Sequence, residues 1–113
     1  MTDAPSLDLR RETRPDGIVV FELNGELTIL TRDRLETDAA RVVVLARGLD
    51  HIDTPGLATL VRLAEGCAER GGRLAIVGLD ADILNMRDHL FLDEAILFAD
   101  DLEDAVALVS AAP

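Results

Sequence analysis

The chain has no tryptophan and no tyrosine, and only three phenylalanines, in 113 residues. With 49 % hydrophobic content, its core must therefore be aliphatic. A single cysteine, Cys67, cannot close an internal disulfide and suits a reducing compartment. Lysine is absent. All eleven basic residues are arginine, set against twenty-two acids for a net charge of −11. That balance excludes nucleic acid as a direct partner, because phosphate backbones reward basic surfaces. Long hydrophobic runs are missing too. The longest, such as 42–46, are five residues, far short of the roughly 20 that insert into a bilayer as a helix. The start, MTDAPSLDLRR, has neither an early basic cluster nor an apolar stretch, so no secretory leader is expected and the chain reads as cytoplasmic.

What is present is enough for one domain with a real core. Residues 1–6 are expected to be a disordered N-terminus and 7–113 the folded domain, with no repeat, low-complexity tract or linker. SLDLRRE and GIVVFELNGEL read as strands separated by Arg14, Pro15, Asp16 and Gly17, a turn signature that predicts an antiparallel hairpin. Residues 30–38 suit a short helix with Thr31 as its cap. RVVVLAR is a continuous β-branched run, the pattern of a strand buried on both faces. After it, Leu57, Leu60, Val61, Ala64 and Cys67 recur at helical spacing, until Gly71 and Gly72 stop the helix. RLAIVGL is a further buried strand, so strand, helix and strand make a parallel βαβ unit. A helix near 80–90 started by Asp80 or Asp82, a short strand AILF, and a last helix from Leu102 to Ser110 capped by Asp101 complete the chain. The fold class is α/β: a mixed sheet, antiparallel hairpin first and parallel βαβ after, flanked by helices.

Catalytic constellations are absent from this reading. His51 and His89 have no partners at metal-ligand spacing, and no phosphate-loop, nucleophile-elbow or dinucleotide fingerprint occurs. No catalytic residue, metal or cofactor is expected. Cys67, on the apolar stripe, reads as an inert core residue. An enzyme using Asp53 as base and Thr54 as nucleophile would lack an orienting third group. The acids are concentrated late, with nine in 79–113 against one base, Arg87. Such a run is either a solvated surface or a face for a basic partner protein. The residues that stand out are in HIDTPGL. Pro55 suits the first helical position, which makes Thr54 the expected N-cap, its hydroxyl satisfying an orphan N–H. The same place would tolerate a phosphate at the positive end of a helix, adding about 1.5 to 2 negative charges.

HIDTPGLATLVRLAEGCAERGGRLAIVGL closely resembles the signature region of the STAS family, the anti-sigma factor antagonists. There an apolar strand runs into Asp-Ser-Ser-Gly or Asp-Thr-x-Gly, then a Leu-rich helix, Gly and a strand. NGELT at 24–28 resembles the family's Gly-Glu-Leu-Asp stretch, and LFADDLEDAVALV its C-terminal strand and helix. The resemblance covers about residues 7–110. It implies a regulatory binding module, not an enzyme, that binds a kinase-type anti-sigma factor and frees its sigma factor. In some members the hydroxyl residue after the motif's Asp is phosphorylated; that position is Thr54. The implied partner surface is Thr28, His51, Asp53, Thr54, Pro55, Gly56 and Leu57. The alternative is the small STAS subunit of a phospholipid-transport ABC system, which contacts the ATP-binding subunit and whose Thr need not be phosphorylated. The chain departs from the pattern at Thr28, where an acid is usual, at Leu45, where the family often has Asp, and at Pro55, where a second Ser is common. Its 25–41 segment is also short for the family's first helix by about two turns.

Overall fold

The computed structural model describes residues 6–79 and 96–111. Five strands form one sheet in sequence order: β1 (Leu7–Thr13), β2 (Val19–Leu27), β3 (Arg41–Ile52), β4 (Arg73–Val77) and β5 (Leu97–Ala99). β1 and β2 are the expected antiparallel hairpin, and its turn is closed by the Gly17 N–H on the Arg14 carbonyl at 2.9 Å. Every later pair is parallel, so the parallel part of the sheet begins already at β2. Two helices are described, α1 (Thr54–Glu69) and α2 (Leu102–Ser110). The expected helix at 80–90, with its start signals Asp80 and Asp82, lies outside the described residues, as do His89 and residues 1–5.

The aliphatic core is divided between the two faces of the sheet. Val42, Val44, Leu74 and Ile76 point to one side, where Leu57, Leu60, Ala64 and Cys67 of α1 cover them. Val43, Ala75 and Val77 point to the other, under Ala105 and Val109 of α2. Side chains alternate across a strand, and both sides of β3 are covered, so its sequence has to be apolar at successive positions. α1 closes with the Gly72 N–H on the Cys67 carbonyl at 2.8 Å and the Gly71 N–H on that of Ala68 at 3.0 Å. This reciprocal closure needs a left-handed residue, and Gly71, at φ +82°, supplies it.

The connection from β2 to β3 departs from expectation. The helix predicted over 30–38 is a single 3-10 turn, Arg32–Arg34, and Thr31 does not cap it. The Thr31 hydroxyl instead donates to the Glu26 carbonyl at 2.7 Å and accepts from the Thr28 N–H at 3.0 Å. Two tertiary anchors stop the turn from growing. The Arg34 guanidinium donates to the Leu7 carbonyl, and Leu35, 2 % exposed, is drawn into the core.

Candidate functional site

β2 and β3 lie side by side at their C-terminal ends, with Leu27 opposite Ile52 and Glu26 opposite His51. The segments that follow them therefore emerge together. Asp53 joins the two. Its Oδ1 accepts the Gly56 N–H at 2.8 Å, and its Oδ2 accepts the Ile29 N–H at 3.1 Å. Asp53, not Thr54, is thus the N-cap of α1, Thr54 is its first residue and Pro55 its second. The reason is reach: one Asp53 oxygen turns back onto the helix while the other holds a loop twenty-four residues away in sequence. The two carboxylate oxygens, each facing a different N–H, do both at once.

The loop is fastened residue by residue. Three successive N–H groups go to side-chain oxygens: Thr28 to Thr31 Oγ1, Ile29 to Asp53, and Leu30 to Thr28 Oγ1 at 3.2 Å. This leaves the side chains of Ile29 and Leu30 facing solvent, 56 % and 73 % exposed. Two large aliphatic groups are thus held outward on a fastened loop. Nothing in the periodicity separates them from core residues. The available signal was their place between two threonines directly after a strand.

Gly56 fits here because a Cβ at that position would strike the Leu27 carbonyl, so α1 can start this close to β2 only with glycine. Among the residues the sequence singled out, His51 and Thr54 are exposed and Asp53 and Pro55 half-buried. Thr28, Gly56 and Leu57 are buried, the first bracing the loop and the last, 2 % exposed, belonging to the core. The site is therefore presented by Thr54, His51, Ile29 and Leu30 and built from beneath by the others.

The Thr54 hydroxyl has no hydrogen-bond partner among the described residues. The backbone around it offers little to an anion. Pro55 has no N–H, that of Gly56 is taken by Asp53, and that of Leu57 closes the first helical bond on the Asp53 carbonyl at 3.0 Å. Only Thr54's own N–H stays open. A charged group added at Thr54 would stand outward beside the Asp53 carboxylate instead of being cradled. Away from this site, Cys67 is fully buried, and its thiol donates to the Ala39 carbonyl at 3.7 Å. Burial pushes the thiol up from its ordinary value, and the Arg70 guanidinium offsets part of that. No cluster of metal-ligating side chains occurs among the described residues.

The described residues form a layered α/β module with an exposed hydroxyl at a strand-to-helix turn. The sequence profile of the STAS domain matches residues 11–105, and the chain belongs to the STAS family. Its fold is that of an anti-sigma factor antagonist from Mycobacterium paratuberculosis, with 19 % identity, 98 % of this chain and 100 % of that one covered, and a TM-score of 0.74. The Bacillus cell fate determinant SpoIIAA in its phosphorylated form is similar at 15 % identity, with 90 % and 99 % covered and a TM-score of 0.70. A sulfate transporter family protein from Wolinella succinogenes shares 22 % identity over 87 % of this chain and 88 % of that one, with a TM-score of 0.65. Among curated proteins no sequence matches.

Proposed function

We propose that this chain is a regulatory binding module of the anti-sigma factor antagonist kind, which docks on a kinase-type anti-sigma factor and is switched by phosphorylation of Thr54. The observation that carries the reading is the Thr54 hydroxyl: exposed, unpartnered, and on the segment that Asp53 ties to the outward-facing Ile29 and Leu30. A partner covering Ile29 and Leu30 covers Thr54 as well. Phosphate there would bring a doubly charged group, uncradled and next to Asp53, into an interface that must lose its water. Family membership and the likeness to anti-sigma factor antagonists support the same reading. Both oxygens of Asp53 are occupied by backbone N–H groups, which supports a structural role for it over that of a catalytic base.

The test pairs affinity with mass. Incubation with the purified partner kinase and ATP should add one phosphate to the wild type and none to Thr54→Ala. Thr54→Asp should stay folded and lose partner affinity by about tenfold or more. A Thr54→Asp protein that binds like wild type, together with an unchanged wild-type mass, ends the switch reading. The transporter-accessory alternative would then be favoured by capture of an ABC ATP-binding subunit that ignores the state of Thr54.

A further inference from the structure

The shortened β2–β3 connection leaves a groove. Where a longer helix would have lain over the sheet, residues 32–38 form a wall facing α1, with a cavity of about 620 Å³ between them. Four of the chain's eleven arginines line it: Arg11 from β1, Arg32 from the 3-10 turn, Arg62 from α1 and Arg70 directly after it. None of the four makes an ion pair; among the described residues the single ion pair is Arg14 with Asp16. Four guanidinium groups without a carboxylate partner leave several charge-assisted donors available to an anionic ligand. The groove also has carboxylates, Asp33, Glu36 and Asp38, but all belong to the connecting wall and none reaches ion-pair distance of an arginine. The charged lining on the β1 and α1 sides is arginine, while the exposed Glu65 and Glu69 of α1 stand outside the groove.

Two of the arginines are held in place. Arg70 lies across the helix, with its Nη1 3.0 Å from where a Gly66 Cβ would stand and 3.5 Å from the Ala39 carbonyl. Arg11 stacks over the Phe21 ring at 5.9 Å. Along α1 the lining runs from Thr59 to Arg70, about 16 Å of helix. That matches roughly five residues of extended peptide and exceeds what one phosphate or carboxylate fills. Leu35 and Leu63 add apolar lining suited to a side chain. The wall also continues directly from the Ile29–Leu30 loop into Arg32, so the groove adjoins the face on which the partner is placed above.

We propose that this groove binds a short extended acidic peptide, an acidic segment of the same partner. The identity of that partner rests on the proposed function; the groove's ligand chemistry does not. The probe is a capped Glu-Leu-Glu-Glu-Leu-Glu peptide titrated into the full chain, read by amide chemical shifts and without any partner present. Saturable binding should move the Arg62, Gly66 and Arg70 amides. Arg62→Glu with Arg70→Glu should weaken it by about tenfold or more, since charge-assisted hydrogen bonds are lost and repulsion added. Arg62→Gln alone, too mild to disturb α1, should weaken it in the same direction. Arg41→Glu, a single charge reversal on the sheet's other side, should alter it by less than about twofold. Three results overturn the proposal: no shift at these amides, equal binding of the peptide with Gln in place of Glu, or inorganic phosphate saturating the same amides as tightly. Peptide binding that survives Thr54→Asp while partner binding is lost separates the groove from the switch.

Discussion

Asp53 and Thr54 are neighbours with opposite duties. Asp53 supplies the cap of α1 and the tether of the 28–31 loop, so its loss removes two charge-assisted bonds. Asp53→Ala should cost about 1 to 2 kcal/mol of stability. Thr54→Ala removes a hydroxyl that bonds nothing among the described residues and should change stability by less than about 0.5 kcal/mol. Denaturant midpoints of the two variants check this, and equal losses would return the cap to Thr54. Cys67 permits a pH test of unusual clarity, because the chain has no tyrosine and no lysine to titrate alongside it. Its thiol is raised by burial from an ordinary value of 9.0. Above that value the unfolded chain gives up the thiol proton and the folded chain retains it, so unfolding is favoured as pH climbs. Stability should be insensitive to this group below about pH 8 and decline above about pH 9, at up to about 1.4 kcal/mol per pH unit. Cys67→Ser should flatten the decline. The wild-type thiol should also resist alkylation until the protein unfolds.

The elements follow from local pattern where a neighbour merely completes them and fail where a neighbour competes. α2 starts where Asp101 marks it, with the carboxylate accepting the Asp104 N–H at 2.8 Å, and nothing else among the described residues claims that side chain. α1 shows its buried stripe at Leu57, Leu60, Ala64 and Cys67, with Val61 only half-covered at its margin. The 28–31 loop is different. Its shape comes from oxygens of Thr28, Thr31 and Asp53, and it leaves two aliphatic side chains in water. Leu30→Ser should therefore keep the unfolding midpoint within about 0.5 kcal/mol of wild type. The same change should weaken partner binding about tenfold, as loss of an apolar anchor does at the centre of an interface. A Leu30→Ser protein that binds unchanged would remove the loop from the docking face.

At the scale of the molecule, an exposed acidic end stands on the face opposite the arginine-lined groove. Asp100, Asp101, Glu103 and Asp104 are exposed around the start of α2, on one side of the sheet. The arginines of the groove lie beside α1, on the other. Were the acidic end to dock on a basic partner, a net charge of −11 would steer its approach over distances comparable to the screening length, about 10 Å at 0.1 M salt. Association should slow by about threefold or more between low and physiological salt. Stopped-flow rates measure this directly, and a rate indifferent to salt would make the acidic end a solvated surface with no part in docking.

The strands, both described helices, the Asp101 cap, the burial of Cys67 and the STAS kinship were legible in the sequence. Each is written in short-range terms: alternation along a strand, spacing along a helix, a carboxylate just before it, a motif in register. What the sequence misassigned or left out depends on residues brought together across the fold. Thr54 has every local qualification for a cap, yet Asp53 takes the role because its second oxygen is held by the Ile29 N–H. Residues 30–38 suit a helix locally, but Arg34 on the Leu7 carbonyl and Leu35 in the core hold them to one turn. The groove lies between that short connection and α1, and the Thr31, Asp53 and Thr28 oxygens hold the loop with Ile29 and Leu30 outward. Periodicity records which side of an element is apolar. Whether an apolar side chain meets a core or water, and which of two oxygens wins an N–H, is decided by what the rest of the chain places opposite it.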